Sequence, residues 1–136
     1  MAERILVAED EALVALSPAD LLEEAGYDVA LAFDGEQALA RAAEAAGTAR
    51  RYGALVTDVN MPHLSGEGLI RALRARDPGL PVVVVTGSPP PGGAAELRRR
   101  GGGHGPLALL PKPVDDARLL EELRRVTALH WAAATD

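Results

Sequence analysis

Hydrophobic and polar positions alternate between two patterns along this chain. Five short apolar runs, Arg4 to Ala8, Asp28 to Ala32, Ala54 to Thr57, Val82 to Val85 and Leu107 to Leu110, are too brief for helices and predict strands. The four consecutive valines fit a strand covered on both faces. Between these runs the spacing turns helical. Glu11 to Ala25 places Leu13, Leu16, Leu21 and Leu22 as its apolar positions and stops at Gly26. Gly35 to Ala46 is alanine-rich and closes near Gly47. Ser65 is placed to cap a helix reaching about Arg76, because its hydroxyl can accept an unpaired N–H of the first turn. From Asp115 onward Leu119, Leu120, Leu123 and Val126 share one face of a long helix. Two stretches break the regularity. Pro18 lies inside the first helix and predicts a kink, or a restart capped by Ser17. Ser88 to Pro106 is rich in glycine and proline, and only Ala94 to Arg100 favours a helix there, so the fourth helix should be short or disordered.

Strands alternating with helices imply parallel βαβ units joined by right-handed crossovers. The expected fold class is α/β, a doubly wound five-stranded parallel sheet. Periodicity does not fix the strand order; the flavodoxin-like order 2-1-3-4-5 is adopted by analogy with such sheets. Neither an internal repeat nor a boundary is visible, so residues 1–136 read as one domain with no output domain behind it.

Composition narrows the class. The 136 residues are 48% hydrophobic with one Trp, two Tyr and one Phe, so the core is aliphatic. A net charge of -6 argues against a nucleic-acid surface, and the basic cluster Arg98-Arg99-Arg100 reads as a solvated helix end. The absence of cysteine removes disulfides, thiol chemistry and cysteine-based zinc sites. No signal peptide or membrane-spanning run is present, which places the chain in the cytoplasm away from membranes.

In open α/β sheets ligands bind outside the carboxyl ends of the strands. There the first strand ends in Glu9-Asp10, the third in Asp58, the fourth in Thr86 and the fifth in Lys112. Each alone has a plain structural reading: Asp58 as a turn residue or cap, Glu9-Asp10 as helix capping, Thr86 as a strand end, Lys112 as a surface lysine. Together they bring three carboxylates, a hydroxyl and an ammonium to one rim. An oxygen-only acidic set suits Mg²⁺. A carboxylate can attack a phosphoryl group, and such transfer is mainly positioning and charge neutralisation. Gly87 would leave room beside Thr86. His63 and His104 sit in loops, and His130 lies with Trp131 along the last helix; none reads as a ligand.

Four stretches carry a resemblance: Ile5-Leu6-Val7-Ala8-Glu9-Asp10-Glu11, Thr57-Asp58-Val59-Asn60-Met61-Pro62, Val82-Val83-Val84-Val85-Thr86-Gly87 and Lys112-Pro113. In this order and spacing the chain resembles a response-regulator receiver domain of two-component signalling, single-domain and chemotaxis-regulator-like. The resemblance implies that Asp58 accepts phosphate from a phosphohistidine of a histidine kinase or histidine phosphotransfer protein. It implies Mg²⁺ on Asp10, Asp58 and the backbone carbonyl of Asn60, with Glu9 acting through water. Lys112 would contact the phosphoryl group, Thr86 would sense it, and the bond before Pro113 would be cis. Such a domain would promote its own phosphorylation and dephosphorylation without being an enzyme in the usual sense, and would act on a downstream protein. Two features depart from the pattern. Leu109 stands where many members carry an aromatic, and His63 replaces a frequent glycine. The alternatives are a pseudo-receiver that is never phosphorylated and a small aspartate-nucleophile phosphatase; against the latter, Asn60 occupies the place of a general acid. The last helices offer a route to a weak homodimer, which nothing in the sequence requires.

Overall fold

A computed structural model describes residues 3–48, 50–99 and 105–135, the last six by backbone alone. Arg100 and His104, and the side chains of His130 and Trp131, lie outside what is described. The elements are β1 (Arg4–Ala8), α1 (Ala12–Glu24), β2 (Asp28–Ala32), α2 (Gly35–Ala45), β3 (Ala54–Thr57), α3 (Gly66–Arg76), β4 (Val82–Thr86), α4 (Gly93–Leu97), β5 (Leu107–Pro111) and α5 (Asp116–Thr135). The five strands form one sheet in the order β2-β1-β3-β4-β5, and every pairing is parallel. The expected flavodoxin-like architecture is the one observed.

Side chains of a strand point alternately to opposite faces, so the sheet divides the core in two. Leu6, Leu55, Val82 and Val84 pack with Leu69, Ile70 and Leu73 on one face. Ile5, Val7, Val83 and Val85 pack with Leu22, Leu119, Leu123 and Val126 on the other. The valine run of β4 is buried throughout and serves both layers.

Helix starts follow local chemistry. The Ser65 hydroxyl accepts the Gly68 N–H at 3.1 Å, the cap expected of it. Asp34 caps α2 through Gln37 N–H at 2.7 Å, and the Gln37 side chain accepts the Phe33 N–H in return. Helix α1 corrects expectations in part. It runs from Ala12 to Glu24 through Pro18 as one helix, so of the two outcomes expected at Pro18 the restart at Ser17 does not occur. Its inward residues are Ala15, Ala19 and Leu22, while Leu13 is 85% and Leu16 48% exposed. Leu22, and Leu21 in part, are inward as expected; ahead of them Ala15 and Ala19, whose spacing is as helical as that of Leu13 and Leu16, face the sheet. Helix α4 is short, as expected, and Arg100, the end of the stretch expected to favour it, lies outside the described residues. It spans five residues, begins at Gly92 and Gly93 with φ of 93° and 60°, and continues as a wider turn through Arg98 and Arg99.

Buried Arg74 on α3 was not singled out from the sequence. Its guanidinium donates to the carbonyl of Leu80 at 2.9 Å and to that of Pro106, joining the chain ahead of β4 to the chain ahead of β5. Among the described residues no helix is long and apolar enough to cross a membrane.

Candidate functional site

Because all five strands run the same way, their carboxyl ends share one edge, and the chemistry gathers there. Asp58 follows β3 directly and is buried. Its Oδ1 accepts the Val59 N–H at 2.7 Å and, more loosely, the Asn60 N–H at 3.4 Å. Its Oδ2 accepts from the Lys112 ammonium at 2.9 Å. Lys112 comes from the end of β5 and also pairs with the buried Glu9 carboxylate at the end of β1. The peptide bond between Lys112 and Pro113 is cis, as the resemblance implied.

Glu9, Asp10 and Asp58 each bring a carboxylate oxygen within 4.8 Å of the others. Three carboxylates against one ammonium leave an excess of negative charge that a small hard cation would relieve, and the donors are all oxygen, the set Mg²⁺ favours. The residues therefore fit Mg²⁺. Burial pushes the Glu9 carboxyl above its ordinary value, helped by Asp10 and opposed by Lys112. Burial draws the Lys112 ammonium down, but its hydrogen bonds to Glu9 and Asp58 and their charges more than offset this, and its value lies above that of free lysine. Lys112 is thus a fixed cation at neutral pH. The plain capping reading of Glu9-Asp10 holds only in part: Glu9 accepts the Glu11 N–H at 3.3 Å, while Glu11 itself starts α1 without a side-chain cap.

Thr86 ends β4 and is fully buried. Its hydroxyl oxygen accepts the Ser88 N–H at 3.1 Å, which leaves the hydroxyl proton free to donate. A Cβ placed at Gly87 would meet only Lys112, at 4.0 Å, so the space expected there exists. His63 is exposed, as expected of a loop histidine, and has a φ of 71°.

Gly66 was missed in the sequence. A side chain there would collide with the backbone carbonyl of Asp58, and its N–H donates to the Val59 carbonyl at 2.8 Å. The start of α3 is thereby pressed against the loop that carries Asp58. A glycine directly after a capping serine was the one available signal. Beneath the acidic rim lies a cavity of about 470 Å³ between α1, the sheet and the Lys112-Pro113-Val114 turn, with Asp58, Glu9 and Lys112 at its mouth. The exposed Leu13 and the half-exposed Val14 edge it.

Comparison with known proteins points the same way. Residues 5–124 match the family described as the response regulator receiver domain. A response regulator receiver protein from Anaeromyxobacter is 37% identical over 118 residues, which cover 87% of this chain and 46% of that protein. The transcriptional regulatory protein PrrA of Mycobacterium tuberculosis is 42% identical over 82 residues, covering 60% of this chain and 33% of that one. The chain thus spans less than half the length of these curated relatives. Among solved structures, the Vibrio cholerae chemotaxis response regulator CheY4 superposes with a TM-score of 0.78 at 29% identity, covering 93% of this chain and 99% of the other.

Proposed function

The chain belongs to the response regulator receiver domain family, and from that premise we propose that Asp58 is its phosphoacceptor in a two-component phosphorelay. Receiver domains are signalling modules whose partners include histidine kinases. The donor proposed here is a phosphohistidine of a histidine kinase or histidine phosphotransfer protein, and residues 1–136 act as one receiver unit in the cytoplasm.

The observation that supports this most is the division of labour at Asp58. Backbone amides of Val59 and Asn60 hold one carboxylate oxygen and the Lys112 ammonium binds the other. The carboxylate is thereby held in one orientation. In the transfer, an Asp58 oxygen forms a bond to phosphorus as the P–N bond to the donor imidazole breaks, and the imidazole leaves with the bonding electron pair. Lys112 neutralises charge on the phosphoryl oxygens. Asp10, Asp58 and the backbone carbonyl of Asn60, with Glu9 through water, would hold Mg²⁺, which supplies further positive charge when bound. Water attacking the same phosphorus returns Asp58 to its starting state.

Thr86 is proposed as the sensor. Its hydroxyl proton can turn to a phosphoryl oxygen, and drawing Thr86 toward Asp58 would pull on the Ser88 N–H that it now accepts. Ser88 leads into the segment before α4. A Cβ added to Gly93, the first residue of α4, would lie 3.9 Å from Leu109 Cδ2, so the position usually aromatic in the family sits here against the start of that helix. A change in α4 is therefore the proposed output, read by a downstream protein.

Incubation with acetyl phosphate and Mg²⁺ followed by intact mass measurement tests the assignment. A single phosphoryl adduct, absent in Asp58→Asn, is the expected result. An adduct retained in that variant would place the chemistry elsewhere. No adduct from any donor would make the chain a pseudo-receiver, and steady turnover of a small phosphate ester would make it a phosphatase.

A further inference from the structure

A second cavity, of about 300 Å³, opens at the opposite end of the sheet, where the strands begin, between α2 and α3. Its floor is aliphatic: Leu6, Leu55, Leu73 and Leu80. Beside Leu39, the residues that line it from α2 and its C-cap are small: Ala42, Ala43 and Ala46 stand where longer aliphatic side chains would fill the gap between the two helices. The rim is charged. Arg51, from the loop after α2, and Arg76, at the end of α3, are both exposed. Neither makes a hydrogen bond or ion pair with another described residue. Asp77, the acid on the same rim, interacts with the charge of buried Arg74, which it helps to stabilise. Two guanidinium groups without an ion-pair partner among the described residues thus line an apolar cavity whose one acid, Asp77, lies beside Arg76 in sequence. Guanidinium pairs best with planar, bidentate oxyanions, above all carboxylates. Ligand sites combine an apolar lining with a few polar groups that fix orientation, and this volume lies at the lower end of their range.

We propose that this cavity binds a small amphipathic monocarboxylate, with its hydrocarbon body among the leucines and α2 alanines and its carboxylate between Arg51 and Arg76. This goes beyond phosphotransfer and does not depend on it, since the cavity and Asp58 lie at opposite ends of the strands. The pairing needs no preformed cap over the ligand, because both cations already sit at the mouth.

The test is titration of the isotopically labelled chain with octanoate, followed by amide NMR. Expected are saturable shifts confined to residues of the cavity, the same in Asp58→Asn as in the native chain. Octylammonium, with the same tail and the opposite charge, and the double variant Arg51→Glu/Arg76→Glu should each bind about tenfold more weakly or worse. A second variant, Ala43→Leu, fills the exposed edge of the cavity without touching the core and should also weaken binding. No saturable shifts up to the solubility of octanoate would overturn the site. Equal binding of octanoate and octylammonium, or binding untouched by the charge reversal, would overturn the arginine pairing. Shifts spread over α1 or α5, or line broadening that grows with protein concentration, would show surface adsorption or self-association in its place and would overturn it as well.

Discussion

His63 shows how much a single backbone angle can reveal. Its φ of 71° makes it the one non-glycine residue in the left-handed region among those described. Glycine adopts that conformation without a Cβ clash, whereas other residues are strained there by about 1–2 kcal/mol. His63→Gly should therefore raise unfolding free energy by about 1 kcal/mol or less, after glycine's larger loss of freedom on folding is subtracted. Urea denaturation with an unchanged slope would verify it; a loss of stability would show that the imidazole makes a contact worth more than the strain. The need for glycine was legible in the sequence, as a departure from the family's usual residue, but the strain was not. Arg74 was not legible at all. Burial, and then the charge of Arg98, lowers its value to about 10. A cation whose folded value lies below its unfolded one disfavours the fold while charged, and that penalty is relieved only as pH rises above about 10. At neutral pH the guanidinium therefore stays charged and keeps its bonds to the Leu80 and Pro106 carbonyls. Nothing local distinguishes it from Arg71 or Arg76; only the packing of distant segments does.

At the scale of elements, legibility followed the strength of the local signal. The strands were read almost to the residue, because runs such as Val82–Thr86 favour the pleated state and cannot be amphipathic helices. The capping of α3 was read from Ser65 alone. The inward face of α1 was read in part: Leu22 is buried and Leu21 half-buried as expected, but toward the N-terminus Ala15 and Ala19 face inward where Leu13 and Leu16 were expected, because leucines and alanines both recur at helical intervals. Helix α4 was correctly expected to be short. Two left-handed glycines start it, no side chain caps it, and Leu97 is its one buried residue. Such an element opens at a small free energy. The amides of Ala95 to Leu97 should exchange faster than those of Ile70 to Leu73 in α3, by at least tenfold, in hydrogen-exchange mass spectrometry. If phosphate on Asp58 acts through Thr86 and Ser88, an acyl-phosphate mimic should change exchange in α4 and leave α3 as it was. Equal protection of the two helices in the unmodified chain would remove the case for α4 as the responsive element.

For the molecule as a whole, parallel strands concentrate charge at one edge. Glu9, Asp10 and Asp58 face a single ammonium within a chain of net charge -6. A ligand that binds only the folded state stabilises it, by about 2.7 kcal/mol at a hundred times its Kd. Mg²⁺ should accordingly raise the melting temperature, whereas Asp10→Asn should raise the metal-free melting temperature by easing repulsion and shrink the rise that Mg²⁺ produces. Calorimetry with and without the ion separates these effects, and an Asp10→Asn chain that still shows the full rise would show that Asp10 holds no ion. The convergence of these residues was readable from their strand-end positions; the pairing of Lys112 with both Glu9 and Asp58 was not, since it depends on the side chain's reach across β3 and β4. That pairing also has a meaning in time. A ribosome releases Glu9 and Asp58 long before Lys112, which lies 103 residues beyond Glu9, just after the edge strand β5. A nascent chain that has not yet laid down β5 carries Glu9 and Asp58 without the ammonium that pairs with both. The last strand to be made leads into the counter-charge for acids that follow the first and the third.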